Sequence, residues 1–325
     1  MGTGRGLVAV RILKSYLKNR FARHPVILAH MVTYGCNMRC HYCIYWKWKC
    51  EEMSTKEIGK MMREASELGI AVYTATGGEP LLRNDIDAIL KLAKEEGFYT
   101  MLVTNGLLLK GRNTSNIDLL TISLDTLDRK KFYRIRGVDA LTKVIEAVKW
   151  ASERVKTCIN VVLHNENADE VESLVRFAKS CDVGITFEPV SAYFPECPTV
   201  GVEELKRSMQ KLHELKREFK CLWNSKAYLR LVCSGESFSC QSHLLLRVNP
   251  DGEVISPCYD VDYVTAGNLR YEKLENILRS KKYAEGCKIA MNCGKCYLLC
   301  YVEPSMIFTD LKWAARSLYE ILKRI

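Results

Sequence analysis

The chain has 325 residues, 48% hydrophobic and 26% charged, with 15 cysteines and a formal net charge of +10. A length prior of roughly 150 residues per domain gives about two domains. The composition excludes a disordered chain, and no run of about 18 uninterrupted apolar residues obliges a helix to span a membrane. The odd cysteine count and the lack of a recognisable secretory signal argue against a disulfide scaffold and for a reducing cytoplasm, where clustered thiols more often bind metal.

In chain order, residues 1–25 form a basic amphipathic segment. Arg5, Arg11, Lys14, Lys18, Arg20 and Arg23 lie there without an acid, and Val10, Leu13, Leu17 and Phe21 recur at helical spacing. From residue 26 to 190 short β-rich runs alternate with amphipathic helices. The strands are expected at Val26–Thr33, Ile70–Ala75, Tyr99–Val103, Leu119–Leu124, Thr157–Leu163 and Gly184–Pro189, from their Val, Ile, Tyr and Thr content. Helices are expected at Ser54–Leu68, which opens with Ser54 and Glu57 in capping-box register, at Asn84–Glu96, at Asp139–Ser152, and after Asn167, where Asn167 and Glu170 repeat that register. Alternating β and α elements predict a parallel α/β sheet or barrel.

After Pro189 the pattern changes. Residues 191–235 read as a linker, with Pro195 and Pro198, followed by a charged helix over Val202–Phe219. Two strands, Leu244–Val248 and Glu253–Ser256, flank the turn signal Asn249-Pro250-Asp251-Gly252. A helix near Tyr271–Tyr283, the cysteine-rich run Cys287–Cys300 and a basic amphipathic helix over 305–325 complete the chain.

Chemistry is concentrated in two cysteine groups. In the first, Cys36-Asn37-Met38-Arg39-Cys40-His41-Tyr42-Cys43 follows directly on the first strand, and in a parallel α/β fold the carboxyl ends of strands carry the chemistry. Such a loop can hold three corners of a four-iron cubane. Since these clusters normally take four cysteines, one iron is left to bind a ligand. A closed zinc site, with Cys50 or His41 as fourth ligand, is the alternative. The second motif is Thr76-Gly77-Gly78-Glu79-Pro80, after the second strand. Its paired glycines allow close backbone approach, and Glu79 can accept a hydrogen bond from an ammonium group.

The C-x₃-C-x-aromatic-C loop and the Gly-Gly-Glu-Pro segment, in this order and on successive strands, resemble the two defining motifs of the radical S-adenosylmethionine (SAM) superfamily. The resemblance covers residues 26–190 and implies a partial TIM-type (β/α)₆ barrel. It implies that Cys36, Cys40 and Cys43 hold a [4Fe–4S] cluster whose fourth iron takes the amino and carboxylate groups of SAM. It further implies that Tyr42 lies near the adenine and that Gly77, Gly78 and Glu79 contact the methionine amino group. Asn105, Ser123, Asp125 and Arg136 are implied as further SAM contacts, with Asp125 and Ser123 near the ribose and Arg136 near the carboxylate; loop polarity or capping is their ordinary alternative. The chemistry implied is one-electron cleavage of SAM to a 5′-deoxyadenosyl radical that abstracts hydrogen from an unactivated carbon, fed by a low-potential donor of the ferredoxin or flavodoxin type.

The second group contains Cys233, Cys240, Cys258, Cys287, Cys293, Cys296 and Cys300, of which Cys233 reads as a buried thiol. The hairpin flanked by Cys240 and Cys258, with the later C-x₂-C pair, resembles the small auxiliary-cluster domain of the SPASM/twitch subgroup, here over residues 236–304. The spacing from Cys287 is C-x₅-C-x₂-C-x₃-C rather than the two-cluster pattern, so one auxiliary [4Fe–4S] cluster is expected, on Cys240, Cys258, Cys293 and Cys296, with Cys300 or Cys287 as substitutes; zinc is the alternative. The substrate expected is a peptide or small molecule. If the two basic ends lie on an anionic membrane surface, a lipid becomes attractive, and a non-catalytic iron–sulfur or zinc scaffold is the third reading. A nucleic-acid partner is not favoured.

Overall fold

The computed structural model describes residues 10–12, 14–15, 24–190, 200–256, 258, 264–293 and 296–309. Nine strands make one sheet in the order β6-β5-β4-β3-β2-β1-β7-β8-β9. The first six are β1 Ile27–Met31, β2 Val72–Thr76, β3 Tyr99–Thr104, β4 Leu119–Ser123, β5 Thr157–Leu163 and β6 Gly184–Pro189. Each pairs in parallel with the next, the α/β alternation expected of the chain. β7 Leu245–Val248 adds in parallel on the other side of β1, and β8 Glu253–Ser256 and β9 Val264–Asn268 continue antiparallel. The C-terminal hairpin therefore extends the barrel sheet instead of standing apart from it.

Period-2 alternation divides this sheet into two faces. Leu28, Tyr73, Leu102, Ile122, Val161 and Phe187 point outward into the main apolar core under the helices. Ala29, Thr74, Val103, Thr121, Asn160, Thr186 and Arg247 point the other way, and they line one cavity of about 730 Å³. One face of seven neighbouring strands bounding one space means that the sheet curls around it as a partial barrel. Small and polar residues on that face leave the space open.

The helix Thr55–Leu68 has the capping box the sequence predicts: Glu57 N donates to Ser54 Oγ and Ser54 N donates to Glu57 Oε2 (2.7 Å). Asn167 and Glu170 do not form a second one. Asn167 Nδ2 donates to the Asp125 and Val162 carbonyls (both 2.9 Å), and the Glu170 carboxylate accepts from Thr126 Oγ1 and Leu127 N. Both side chains serve the loop after β4, and after a 3₁₀ turn the helix is Val171–Ser180. Two helices went unread in the sequence. Arg129–Arg136 buries only Phe132, Ile135 and Arg136 among its positive charges. Lys226–Ser234 lies inside the segment read as linker and packs on Val202–Glu218. The helix expected near Tyr271–Tyr283 is two, Leu274–Arg279 and Lys281–Met291, joined at Ser280, which caps the second.

The last described helix is Leu299–Thr309, so it starts before the expected Ser305; the remainder of 305–325 lies outside the described residues. At the other end, Arg11 is docked on the barrel, with Nη1 donating to Glu96 O (2.6 Å) and Nη2 to Ile70 O (2.9 Å). There it meets the carbonyl ends of two helices, a favourable place for a cation. Ile12 packs on Ala71, Val72 and Tyr99. Of the expected stripe Val10, Leu13, Leu17 and Phe21, Val10 is exposed and the other three lie outside the described residues. Among the described residues no helix is long and apolar enough to cross a membrane.

Candidate functional site

The first cysteine loop leaves the carboxyl end of β1 and is fastened at its root. Arg83 does most of this: its guanidinium donates to Val32 O (2.9 Å) and Met53 O (3.0 Å) and forks onto Asp85 (2.8 and 2.7 Å). The Arg83 hydrogen bond holds the Asp85 carboxyl down at about 2. Thr33 Oγ1 donates to Glu52 and accepts from Gly35 N.

The Gly77-Gly78-Glu79 segment packs against this root. Gly78 N donates to Thr33 O and Glu79 N to Gly35 O, both at 2.7 Å. Gly77 has φ +147°, and a Cβ there would stand 2.4 Å from Thr33 O; one on Gly78 would stand 2.2 Å from Gly35 O. The close approach that requires glycine is thus to the cysteine loop's own backbone. Glu79 is fully buried and accepts from Leu81 N (3.0 Å), Thr104 Oγ1 (2.7 Å) and Asn105 N (2.7 Å). Burial raises its carboxyl pKa, while these donors favour the charged form. A carboxylate has about four lone-pair sites, so one remains for an ammonium group.

Around the thiols, Cys36 Sγ receives Met38 N (3.4 Å) and Asn105 Nδ2 (4.0 Å), and Cys40 Sγ receives Arg136 Nη1 (3.6 Å). Asn105 Nδ2 also donates to Asn37 Oδ1 at 2.7 Å. Arg136 and Asp125 are a buried ion pair at 2.7 Å, and Tyr42 Oη donates to the same Asp125 oxygen at 2.9 Å. The other Asp125 oxygen accepts from Val162 N. The backbone joins in: Arg39 N donates to Arg136 O and His41 N to Ile135 O. Asp125 and Arg136 therefore clamp the cysteine loop to the loop after β4 and to the helix Arg129–Arg136. Ser123 ends β4 on the face that carries Leu119 and Thr121, which line the cavity.

Donors aimed at Cys36 and Cys40 suit thiolates. With no metal, burial raises all three thiols, Cys43 to about 11, and a coordinated iron reverses that by deprotonating them. Three thiols on one loop, held at the barrel mouth beside a buried carboxylate, fit a cubane with one open iron. His41, read from the sequence only as a possible fourth ligand of a zinc site, lies beside His164 and Glu166, which were not read from it. His164 packs edge-on against His41 (centroids 5.1 Å apart), and Glu166 pairs with Arg134 at 2.7 Å. Together they wall the outer side of Tyr42.

In the second group, Cys240 and Cys258 are buried in one apolar cluster with Leu245, Leu298 and Tyr301, and Cys296 packs against it. Burial first, then the nearby Cys258, Cys293 and Cys287, push the Cys240 thiol up to about 12, with Ser305 opposing. Four expected ligands are therefore neighbours. Cys287 hydrogen-bonds Tyr283, and Cys300 faces the barrel cavity. Among the described residues the only three or more metal-ligating groups with donor atoms all within 4.8 Å are His41, His164 and Glu166.

A family model described as the radical SAM superfamily matches residues 31–178, and one for SPASM, an iron–sulfur cluster-binding domain, matches residues 233–301. A Pyrococcus abyssi protein named probable GTP 3′,8-cyclase is 37% identical over 171 residues, 50% of this chain and 56% of that protein. The chain thus spans little more than half the length of that relative. Streptococcus suis SuiB bound to S-adenosylmethionine superposes with a TM-score of 0.70 at 20% identity, over 84% of this chain and 71% of SuiB. Native anSMEcpe with bound AdoMet and Cp18Cys peptide gives 0.64 at 18% identity, over 92% and 99%. At such identities the two structures bear on the fold.

Proposed function

Because the chain belongs to the radical SAM superfamily and carries a SPASM domain after its barrel, we propose that it is an enzyme that cleaves SAM reductively and takes hydrogen from an unactivated carbon of a peptide or small-molecule substrate. The observation that carries this reading is the joint between Cys36, Cys40 and Cys43 and the Gly77–Glu79 segment. It sets three thiols beside one buried carboxylate, and Gly77 of the same segment lines a cavity of about 730 Å³, a size suited to a small ligand.

When bound, the cluster and SAM supply the electron transfer and the carbon radical. Cys36, Cys40 and Cys43 hold the cluster, and Asn105 and Arg136 donate toward their sulfurs. Glu79, fixed by three donors, keeps an acceptor site for the SAM ammonium. Cys240, Cys258, Cys293 and Cys296 hold one auxiliary cluster, and Cys300, facing the cavity, is the thiol of that region nearest to bound substrate. A net charge of +10 suits an acidic, low-potential electron donor of the ferredoxin or flavodoxin type.

Electron paramagnetic resonance of the anaerobically reconstituted, dithionite-reduced protein tests this. The cluster on Cys36, Cys40 and Cys43 should change its spectrum on addition of SAM, because SAM ligates its open iron. An identical spectrum with and without SAM contradicts the reading.

A further inference from the structure

Three metal-ligating side chains meet outside the barrel cavity. His41 lies between Cys40 and Cys43 on the first cysteine loop. His164 and Glu166 stand in the turn after β5, which ends at Leu163. None of the three lines the cavity, and none belongs to the thiol sets that hold iron. His164 is fully buried, and its ring stands edge-on to that of His41. Tyr42 packs against both, with ring centroids 5.6 Å from His41 and 5.9 Å from His164. One ligand atom of each of the three lies within 4.8 Å of the others. His41 Nε2 is 3.5 Å from Glu166 Oε1, close to the donor spacing of about 3.4 Å that metal bonds of about 2.0–2.1 Å set in a tetrahedron.

The ring nitrogens here lack partners. Both nitrogens of His41 and Nε2 of His164 are buried without a hydrogen bond, whereas buried polar atoms in native proteins are nearly always satisfied, by protein, water or an ion. Nδ1 of His164 has a contact of 3.3 Å from Glu166 N, long for a hydrogen bond, so the ring proton can pass to Nδ1 and free Nε2 at little cost. The Glu166 carboxylate is anchored by one oxygen. Its Oε2 accepts from Arg134 Nε at 2.7 Å, which leaves Oε1 toward His41; such a bond orients a metal-ligating carboxylate. The two guanidinium groups nearby, Arg134 and Arg136, are each paired with a carboxylate, so neither opposes a cation with its full charge.

We propose that His41, His164 and Glu166 bind one divalent cation of the zinc class, which latches the first cysteine loop to the turn after β5. Two imidazoles and a carboxylate are a donor set of zinc and its first-row neighbours, and with three protein ligands a water completes the coordination. The cation ties a residue that stands between two iron ligands to the frame of the barrel. It steadies the loop and meets no substrate, so the enzymatic reading above does not depend on it.

Equilibrium dialysis of the anaerobically reconstituted, iron-loaded protein against zinc, with zinc and iron both counted by atomic emission, tests it. The parent protein should hold one divalent ion more than His164→Leu or Glu166→Gln, at equal cluster iron. Zinc is the expected ion, and a ferrous ion kept from reconstitution and lost in both variants supports the same site. Glu166→Gln retains an oxygen for Arg134 and removes the charge, so it should weaken zinc by about tenfold or more even if His164→Leu fails to fold. Zinc should also slow hydrogen exchange in the turn 164–166 of the parent protein and leave it unchanged in Glu166→Gln. Equal metal in the parent protein and Glu166→Gln, or zinc gained only as iron is lost, assigns the zinc to the thiols and overturns the proposal. So does a parent protein that takes up no extra ion at micromolar zinc.

Discussion

Arg136 is the residue on which the cysteine loop leans hardest. Its carbonyl accepts from Arg39 N, its Nη1 points at Cys40, and its charge is balanced by a fully buried Asp125. Removing one partner of a buried pair leaves the other charge uncompensated. Asp125→Asn is therefore expected to destabilise the protein by about 3–5 kcal/mol, seen as a lower urea midpoint; an unchanged midpoint would show that the pair adds nothing. Gly78→Ala places a methyl group 2.2 Å from Gly35 O in the unrelaxed backbone. It should lower the iron bound at the first site while the fold survives by circular dichroism. His30 gives a pH signature. Burial holds it down at about 3, below its ordinary 6.5, with Arg83 adding to the effect. Between those values the unfolded chain takes up a proton that the folded chain refuses, so stability should fall as pH drops below about 6.5. His30→Leu should be weaker at pH 7.5, through the lost contact with Tyr73, yet lose less on acidification. A slope unchanged by that substitution would exclude His30 as its source. The thiols of the first loop were legible in the sequence because their spacing is local. The pairings of Asp125 with Arg136 and of Arg83 with Val32 and Met53 were not, because only the fold brings those residues together.

At the level of elements, boundaries followed wherever local chemistry decides them. β5 and β6 fall where β-branched and aromatic residues run between turn signals, and Ser54 and Glu57 close their box as written. Ser54→Ala should cost about 1 kcal/mol without altering iron content, as denaturant titration would show. Asn167 misled because its polar side chain found better partners than its own helix. It bridges β4 and β5 through the Asp125 and Val162 carbonyls and accepts from His164 N (2.9 Å). Asn167→Ala strips those three buried groups and should cost more than Ser54→Ala; equal losses would return it to a simple cap. The helix Arg129–Arg136 was hidden by charge, since its apolar stripe is only Phe132 and Ile135. That helix carries Arg136 to Cys40, so missing it meant missing the clamp.

On the scale of the whole molecule, one continuous sheet joins the two cysteine groups. The hairpin β7–β8 adds to β1, which also leads into the first cysteine loop, and Glu188 on β6 accepts from Leu299 N, one residue before Cys300. Cys300 of the second group lines the cavity, and so does Tyr45, two residues beyond Cys43. At four irons per cubane, anaerobic reconstitution should load about eight irons per chain, and Cys240→Ala/Cys258→Ala should hold about four. A load of about four in the parent protein would make the second site something other than an iron cluster. The central claim is that the first loop cleaves SAM. It is tested most directly by 5′-deoxyadenosine released from SAM and dithionite by the reconstituted protein, against Cys36→Ala/Cys40→Ala/Cys43→Ala treated alike. Deoxyadenosine and methionine are expected from the parent protein, and neither above background from the variant. A parent protein fully loaded with iron that releases no deoxyadenosine, or a triple variant that releases as much, would contradict it.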